Sequence, residues 1–562
     1  MKKLISAALV CTWACAQTGI LGIKDIHAGQ KGVGRTVFSG TKVEEFQVEV
    51  LGVLENIGPK QNLILGRLSG GPLEKTGVLQ GMSGSPVWVD GKLIGAVALA
   101  FPFSKEPIAG IRPIEEMLAQ RAVPTPSGQA RAEVKFGENR LIEVATPVSF
   151  SGFTSRAVEH FAGDWRKLGL EPLQGVGGQS AQPSTPSKLE PGSMISVQLV
   201  TGDMGVAADG TVTHIDGQRV YAFGHRFLSL GSAELPFAQS EVIALLPNLA
   251  SSFKISNGHE HLGVITSDGN AAIAGVVGKR APMIPVKVDV GGTRPSSYQV
   301  EMVQNPTLTP FLTQMVLFSA LDSTERSLGA STVRIRGTVQ FEDGLPPLKL
   351  EQIYAGDFNA PVVAAIATAA PLSYLANSTL EPVRIKSAAF TISAAEARKV
   401  WQIDQVTASR REARPGDEVD IAVIFAGEGD KQEVRKLKYR VPPGAPVGTL
   451  FITAGDGTST NLAESRALLA ASTRPARQMI PLLNAMRSNS SAYVRLWRAD
   501  TTYSLGGVDA PNLPAGLAMM LARNQTQPIV LGGGGSKLTE MEIALGDVVV
   551  AGTKTIQLEI KD

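Results

Sequence analysis

Apolar and polar residues alternate along most of this chain, which is the pattern of half-buried β-strands. Phe46, Val48 and Val50 fall on one face of a predicted strand, and the polar residues between them fall on the other. Asp-Gly pairs at 90–91 and 216–217 separate such runs and predict hairpins, because they supply the positive φ that tight turns require. Helical periodicity is confined to short stretches at 113–120, 156–168, 310–320, 461–471 and 477–486. The pattern therefore predicts a mainly β protein with a few helices.

Stretches rich in glycine, serine and proline interrupt the pattern and predict linkers at 122–128 and 175–192. Turn signals at 415–417 and 442–444 divide a later run of short strands in the manner of a β-sandwich. The predicted organisation is a signal peptide at 1–16, a first β segment at 30–121, a linker with a short helix at 122–190, a second β segment at 191–295, a β-rich extension at 296–378, a β-sandwich-like module at 379–458 and a mixed α/β module at 459–562.

Composition agrees with a folded protein of several domains. At roughly 100–200 residues per domain, the 562-residue chain is expected to form about three to five units. Hydrophobic residues make up 43% and charged residues 19%, which argues against wholesale disorder. The net charge of +2 is too balanced to indicate a nucleic-acid-binding protein.

The N-terminus reads as a secretory signal peptide. A short basic start is followed by an apolar stretch from Leu4 to Ala16, which ends in a small-x-small cleavage pattern and is too short to span a bilayer. The alternatives are a cytoplasmic chain with an apolar start and a lipid-anchored cysteine, although neither cysteine follows a leucine-containing lipobox. The most apolar later stretch, 361–376, contains Pro371, so no transmembrane span is expected. We expect an exported protein: periplasmic, associated with the cell envelope, or secreted.

Both cysteines, Cys11 and Cys15, lie within this leader. Once the leader is removed, the chain has no thiol, which excludes disulfides, thiolate metal sites, iron–sulfur clusters and a cysteine nucleophile. No glycine loop has the context of a phosphate-binding loop, and no cofactor is expected.

The segment Gly81 to Pro86, Gly-Met-Ser-Gly-Ser-Pro, carries the sharpest chemical signal. Serine peptidases of the chymotrypsin type place their nucleophile in a Gly-x-Ser-Gly-x-Pro turn. The first glycine lets two backbone N–H groups point at one spot, the oxyanion hole, and the second leaves room for a substrate carbonyl. This predicts Ser83 as nucleophile and the N–H groups of Gly81 and Ser83 as oxyanion donors. The alternative is an ordinary turn before a strand.

A serine nucleophile requires a base, and position favours His225, which follows a predicted strand. His214 lies within a strand and reads as structural, and His160 lies on a predicted helix. His259 and His261 share one face of a strand and could hold a metal, but no third ligand is identifiable, so no metal site is predicted.

Three blocks of the sequence resemble the SpoIVB-type serine peptidase family, which is usually assigned to the chymotrypsin-like clan. They run from Gly40 to Phe46, from Leu73 to Val97, and from Gly210 to His225. The resemblance implies that Ser83 and His225 are the catalytic pair. It also implies a chymotrypsin-like double β-barrel built from two sequence segments, roughly 30–120 and 190–290. Residues beyond about 300 lie outside the resemblance, and there the strand pattern predicts C-terminal β-rich and β-sandwich modules with a few helices, so the whole fold is expected to be mainly β.

The chain departs from this family in two respects. In the family the histidine segment precedes the serine segment, whereas here Ser83 comes first, as in a circular permutation. The family's aspartate lies shortly before the Glu-Lys-Thr-Gly run at 74–77, where this chain has no carboxylate and Ser69 is nearest to its place. Either the site is a dyad, or it is impaired, or another acid orients the histidine; the candidate acids are Asp203, Asp209 and Asp216.

The sequence thus predicts an exported serine endopeptidase that cleaves protein or peptide substrates through a Ser-His pair and an acyl-enzyme. The alternative is a catalytically impaired, peptidase-like binding or scaffold protein of the cell envelope with an envelope protein as partner. The absence of the family aspartate motivates this alternative.

Overall fold

The computed structural model describes residues 19–119, 133–136, 139–174, 188–249, 251–292, 295–324, 329–378, 381–462, 475–500, 502–505, 508–511, 513–523, 530–532 and 535–562. The predicted signal peptide at 1–16 and the predicted linker at 122–128 lie outside the described residues, as do most of the linker at 175–192 and of the helix predicted at 461–471. The described chain is mainly β, which confirms the predicted fold class.

A closed β-barrel forms the first part of the protein. Its elements are β1 (Lys31–Ser39), β2 (Lys42–Gly58), β3 (Gln61–Ser69), α1 (Leu73–Thr76), β4 (Pro86–Val89), β5 (Lys92–Ala100) and β6 (Ile108–Pro113), preceded by a 3-10 turn at Ile23–Asp25. The pairing order β1-β2-β3-β6-β5-β4 returns to β1, so six antiparallel strands close the ring. Phe46, Val48 and Val50 point into its core, as their alternation predicts.

A second closed barrel follows a short mixed region. That region contains α2 (Ile114–Leu118), β7 (Glu133–Phe136), β8 (Asn139–Glu143), β9 (Thr146–Ser151), α3 (Ser155–Lys167) and β10 (Leu170–Gln174). The barrel strands are β11 (Met194–Gly202), β12 (Gly205–Asp216), β13 (Arg219–Ala222), β14 (Gly231–Leu246), β15 (Phe253–Asp268) and β16 (Ile273–Val277). Their order β11-β12-β13-β16-β15-β14 returns to β11. The described chain therefore contains two closed six-stranded rings, in agreement with the expected double β-barrel.

Apart from the last three residues of β11, both barrels lie in one compact unit, which comprises the described residues up to 151 together with those in 162–199 and 205–281. The second compact unit comprises 152–161, 200–204 and 282–562.

The second unit begins with a sheet and two long helices. Its elements are β17 (Met283–Gly291), β18 (Ser296–Val303), α4 (Leu308–Thr324), β19 (Ser331–Phe341), β20 (Leu348–Gly356), α5 (Ala360–Ser378) and β21 (Ile385–Ala395). The helix expected at 310–320 is present as α4. The window Ala360–Asn377 of α5 is long and apolar enough to cross a membrane, and 44% of it is buried within the protein. Core helices of soluble proteins meet the same criteria, so this is weak evidence for a span.

The rest of the second unit contains a β-sandwich. The elements are β22 (Val400–Ala408), β23 (Glu412–Ala413), β24 (Glu418–Ala426), β25 (Gln432–Arg440), β26 (Gly448–Asp456), α6 (Ala476–Asn484), β27 (Ser491–Arg498), β28 (Thr502–Leu505), β29 (Val508–Pro511), α7 (Ala515–Ala522), β30 (Val530–Gly532), β31 (Ser536–Ala544), β32 (Val549–Ala551) and β33 (Thr553–Ile560). The sheets β25-β24-β22-β32 and β23-β33-β26-β27-β31 enclose one hydrophobic core. Strands from both sides of the predicted boundary at residue 458 contribute to this core.

Candidate active site

The serine turn between α1 and β4 requires its glycines. Gly81 and Gly84 have φ values of +89° and +93°, a region that residues with a Cβ rarely adopt. A Cβ on Gly84 would also lie 2.0 Å from the carbonyl oxygen of Thr211 and 2.5 Å from the amide nitrogen of Phe223. The small residues therefore let the turn pack directly against the backbone of the second barrel.

The carbonyl groups of the serine turn are held by β12. The Thr211 amide donates to the Ser83 carbonyl at 2.8 Å, and the Thr211 hydroxyl donates to the Gly81 carbonyl at 2.9 Å. The Thr213 hydroxyl donates to the Gly84 carbonyl at 2.7 Å. Because three carbonyl oxygens are fixed on one side, the peptide planes of the turn have little freedom to rotate.

The amide groups of the turn fall into two sets. Met82, Gly84 and Ser85 donate to the carbonyls of Leu79, Val97 and Met82 at 3.1, 2.8 and 2.9 Å, respectively. The amides of Gly81 and Ser83 donate no hydrogen bond to any part of the chain that the structure describes. These two amides are the ones that the sequence predicts as oxyanion donors.

His225 follows β13 on a backbone that is itself constrained. Phe223 and Gly224 both have positive φ, +72° and +69°, and for a phenylalanine this conformation is uncommon. A Cβ on Gly224 would lie 3.1 Å from the Val97 carbonyl, which also accepts the Gly84 amide. The histidine segment and the serine turn therefore meet at Val97 of β5. Gly224, which lies against Val97, precedes His225, and Gly84, which donates to Val97, follows Ser83.

The ring of His225 has a defined contact on one side. Its Nδ1 lies 2.6 Å from the carbonyl oxygen of Arg226. Since a carbonyl only accepts, Nδ1 carries the hydrogen, and the neutral ring then has Nε2 as an acceptor. This is the tautomer that a general base acting through Nε2 requires. The side chain of Arg226 pairs with the buried Glu143 at 3.6 Å.

Both proposed catalytic side chains are enclosed. Ser83 is 0% exposed and His225 is 1% exposed. Ser83 Oγ makes no hydrogen bond to any described residue. The structure therefore brings the two segments together without joining the serine hydroxyl to a base. Catalytic hydrogen bonds are often long in the absence of substrate and shorten when it binds.

The three candidate acids have other contacts in the described chain. Asp209 is buried in the second barrel and accepts from the hydroxyls of Ser240 and Ser256 at 3.3 and 2.9 Å. Burial raises the pKa of its carboxyl, and these hydrogen bonds oppose the change. Asp203 belongs to the second unit and accepts from the Gln299 amide at 2.7 Å.

Asp216, the third candidate, ends β12. It lies near His214, whose pKa is lowered by burial, an effect that the charge of Asp216 opposes. Among the described residues, none of the three carboxylates hydrogen-bonds to His225.

Two buried charged residues near the site were not foreseen. Asp268, at the end of β15, accepts backbone amides from the loop that follows His225. Lys254 lies under the serine turn: a Cβ on Gly81 would be 3.2 Å from its Cδ, and its Nζ donates to the Thr36 hydroxyl at 2.8 Å. Burial lowers the pKa of Lys254 to about 7, against the opposing charge of Asp209. The only sequence signal is that Lys254 occupies an inward position of an alternating strand.

The structure places a carboxylate beside His259, the first residue of the pair His259 and His261. His259 Nε2 lies 3.6 Å from a Glu241 carboxylate oxygen. No group of three or more His, Cys, Asp or Glu side chains that could hold a metal occurs among the residues described.

Comparison with known proteins identifies a family match in the N-terminal part of the chain. Residues 14–118 match the sequence model of the family described as SpoIVB peptidase S55. No curated protein and no solved structure matches the chain. The matched segment contains the whole serine turn, whereas the histidine segment lies outside it. Over these residues the chain matches the SpoIVB-type family of serine peptidases, as its sequence blocks indicate.

Proposed function

We propose that the protein is an exported serine endopeptidase in which Ser83 is the nucleophile and His225 is the general base. The observation that carries this proposal is the serine turn itself. Its carbonyls are bound by β12, while the amides of Gly81 and Ser83, the two that an oxyanion hole would use, make no hydrogen bond within the described chain. Two such donors stabilise the charge that develops on a carbonyl oxygen during acyl transfer.

The proposed reaction proceeds in two stages. Ser83 Oγ forms a bond to the carbonyl carbon of a substrate peptide while Nε2 of His225 takes the hydroxyl proton. The resulting oxyanion accepts hydrogen bonds from the amides of Gly81 and Ser83. The carbon–nitrogen bond then breaks, and His225 gives its proton to the leaving amine. In the second stage His225 takes a proton from a water molecule, whose oxygen forms a bond to the acyl carbon. The bond between this carbon and Ser83 Oγ then breaks, His225 gives its proton to Oγ, and the carboxylic acid product leaves.

Labelling with a serine-directed phosphonate tests this proposal. We expect the wild type to form a covalent adduct and Ser83→Ala to form none. Ser85→Ala is the matched control, because Ser85 lies in the same turn, is also 0% exposed and also has a hydroxyl without a hydrogen bond in the described chain. It should be labelled like the wild type. His225→Gln should slow labelling by about 10²–10⁴-fold, the usual contribution of a general base, and His214→Gln should not.

The same samples test export. The intact mass of the labelled protein, purified from the cell envelope or the medium, reports both the adduct and the N-terminus. Loss of the leader at 1–16 supports export, whereas a full-length mass in the cytoplasm contradicts it.

A binding or scaffold role is the second candidate. It is favoured by the burial of Ser83 and by the absence of any hydrogen bond to its hydroxyl within the described chain. On this hypothesis the barrel pair would retain its architecture for contact with a partner in the cell envelope. A folded wild type that forms no adduct even after long incubation would support this role and reject the peptidase.

A further inference from the structure

We propose that Asp268 is the positioning residue for His225 and takes, through the backbone, the part that an orienting aspartate plays in a triad. The inference rests on the proposed function, because it treats His225 as the base. Asp268 lies 43 positions after His225 in the sequence, outside the segment that matches the family, and none of the sequence motifs points to it.

The carboxylate of Asp268 binds the loop that begins at His225. Its Oδ1 accepts from the Phe227 amide at 2.8 Å, and its Oδ2 accepts from the amides of Leu228 and Leu230 at 2.7 and 3.1 Å. Asp268 is 0% exposed, so no water competes for these donors. Hydrogen bonds to a buried carboxylate are among the stronger ones in proteins.

We call the Asp268 carboxylate with these three hydrogen bonds the clamp. The loop needs it because the loop's conformation is not one that a free chain favours. Phe223 and Ser229, on either side of the histidine, have positive φ values of +72° and +58°. Conformations of this kind persist only where the surroundings fix them. The Phe227 ring packs edge-on against Phe223, with centroids 5.9 Å apart, so the loop is also held from its apolar side.

The clamp determines where the Arg226 carbonyl lies. That carbonyl belongs to the peptide group whose nitrogen is the Phe227 amide, and this amide is bound to Asp268. Fixing the peptide plane aims its oxygen at Nδ1 of His225, 2.6 Å away. The Asp268 carboxylate thus acts through one intervening peptide group to orient the His225 ring and to select its tautomer.

The test uses the full-length protein and compares Asp268→Asn with Asp456→Asn. At position 268 the substitution leaves one acceptor oxygen and one NH₂ group, so it places a donor against at least one of the three amides. Asp456→Asn is the matched control: it changes a buried carboxylate that also accepts backbone amides, those of Ser459 and Gly552, but it belongs to the second unit. Circular dichroism establishes that each variant is folded.

The first readout does not depend on activity. In protein labelled with ¹⁵N-histidine and carrying Ser83→Ala, the ring nitrogens report the tautomer of His225, which is assigned by comparison with His225→Gln. We expect a proton fixed on Nδ1 in the parent and in Asp456→Asn, and a mixture of tautomers in Asp268→Asn. An unchanged His225 signal in folded Asp268→Asn would overturn the proposal.

The second readout is the rate of phosphonate labelling of Ser83. We expect a fall of about 100-fold in Asp268→Asn, the cost of a misplaced catalytic group, and little change in Asp456→Asn. Equal rates would overturn the positioning role while leaving the peptidase intact. If the wild type is not labelled but the tautomer changes in Asp268→Asn, the positioning role stands and the proposed function fails.

If Asp268→Asn does not fold, amide hydrogen exchange in the wild type tests the clamp instead. The amides of Phe227, Leu228 and Leu230 are expected to exchange slowly, like those of the barrel strands. Exchange at the rate of an exposed loop would reject the clamp.

Discussion

Replacing the buried Lys254 by methionine should change how the stability of the first unit depends on pH. Lys254 is 2% exposed, its Nζ donates to the Thr36 hydroxyl, and the charge of Asp209 acts on it. Burial disfavours the ammonium form and lowers the pKa of this lysine from 10.5 to about 7. Methionine fills similar space without a titratable group.

The direction of the change in stability with pH follows from proton linkage. Below pH 7 the lysine is protonated in both the folded and the unfolded chain, and the folded state bears the full cost of burying the charge. Between pH 7 and 10.5 the unfolded chain binds a proton that the folded protein does not, so the free energy of unfolding rises with pH. The slope is at most about 1.4 kcal/mol per pH unit, which gives up to about 3 kcal/mol between pH 7 and pH 9.

Calorimetric melting of both proteins from pH 6 to 9 measures this difference. For a unit of this size, 1 kcal/mol corresponds to roughly 2–4 °C. The wild type should therefore gain on the order of 5–10 °C relative to Lys254→Met between pH 7 and pH 9. Lys31→Met, at an exposed position of β1, is the control and should melt in parallel with the wild type. If the curves of wild type and Lys254→Met also run parallel, the reasoning about Lys254 is refuted.

Two further substitutions probe the packing. Gly84→Ala should destabilise the first unit by more than about 3 kcal/mol and abolish phosphonate labelling, since its Cβ would meet the Thr211 carbonyl at 2.0 Å. A labelled, stable Gly84→Ala would contradict the close approach of the two segments. Phe425→Ala, in the sandwich core, should cost about 3–5 kcal/mol and lower the melting temperature of the second unit, while labelling of Ser83 stays at the wild-type rate; unchanged melting would show that this core does not stabilise the unit.

Much of the first barrel was predictable because its determinants are local. Alternation places Phe46, Val48 and Val50 in the core without knowledge of any partner strand. The Asp-Gly turn at 90–91 joins β4 to β5 with positive φ at both residues, as the sequence predicts. The glycines of the serine turn likewise indicated a backbone with positive φ, which Gly81 and Gly84 adopt.

Elements that are stabilised by residues distant in the sequence were harder to predict. The helix α5 appeared in the sequence only as an apolar stretch containing Pro371, because periodicity gives no signal for a helix that is apolar on most sides. The sandwich core joins β24 to β33 across more than a hundred residues, and strand pairing at that separation has no local signature.

By itself, the sequence determined many of the strands and turns and the glycine-rich backbone around Ser83, since each depends on backbone preferences within a few residues. The tertiary structure decided what surrounds them. It brings Gly84 and Gly224 to one carbonyl in β5, binds the turn carbonyls through Thr211 and Thr213, and places Asp268 beneath the histidine loop. Apart from the bond between Gly84 and Val97, these contacts join residues from 41 to 130 positions apart, and only the closure of both barrels brings such residues close together.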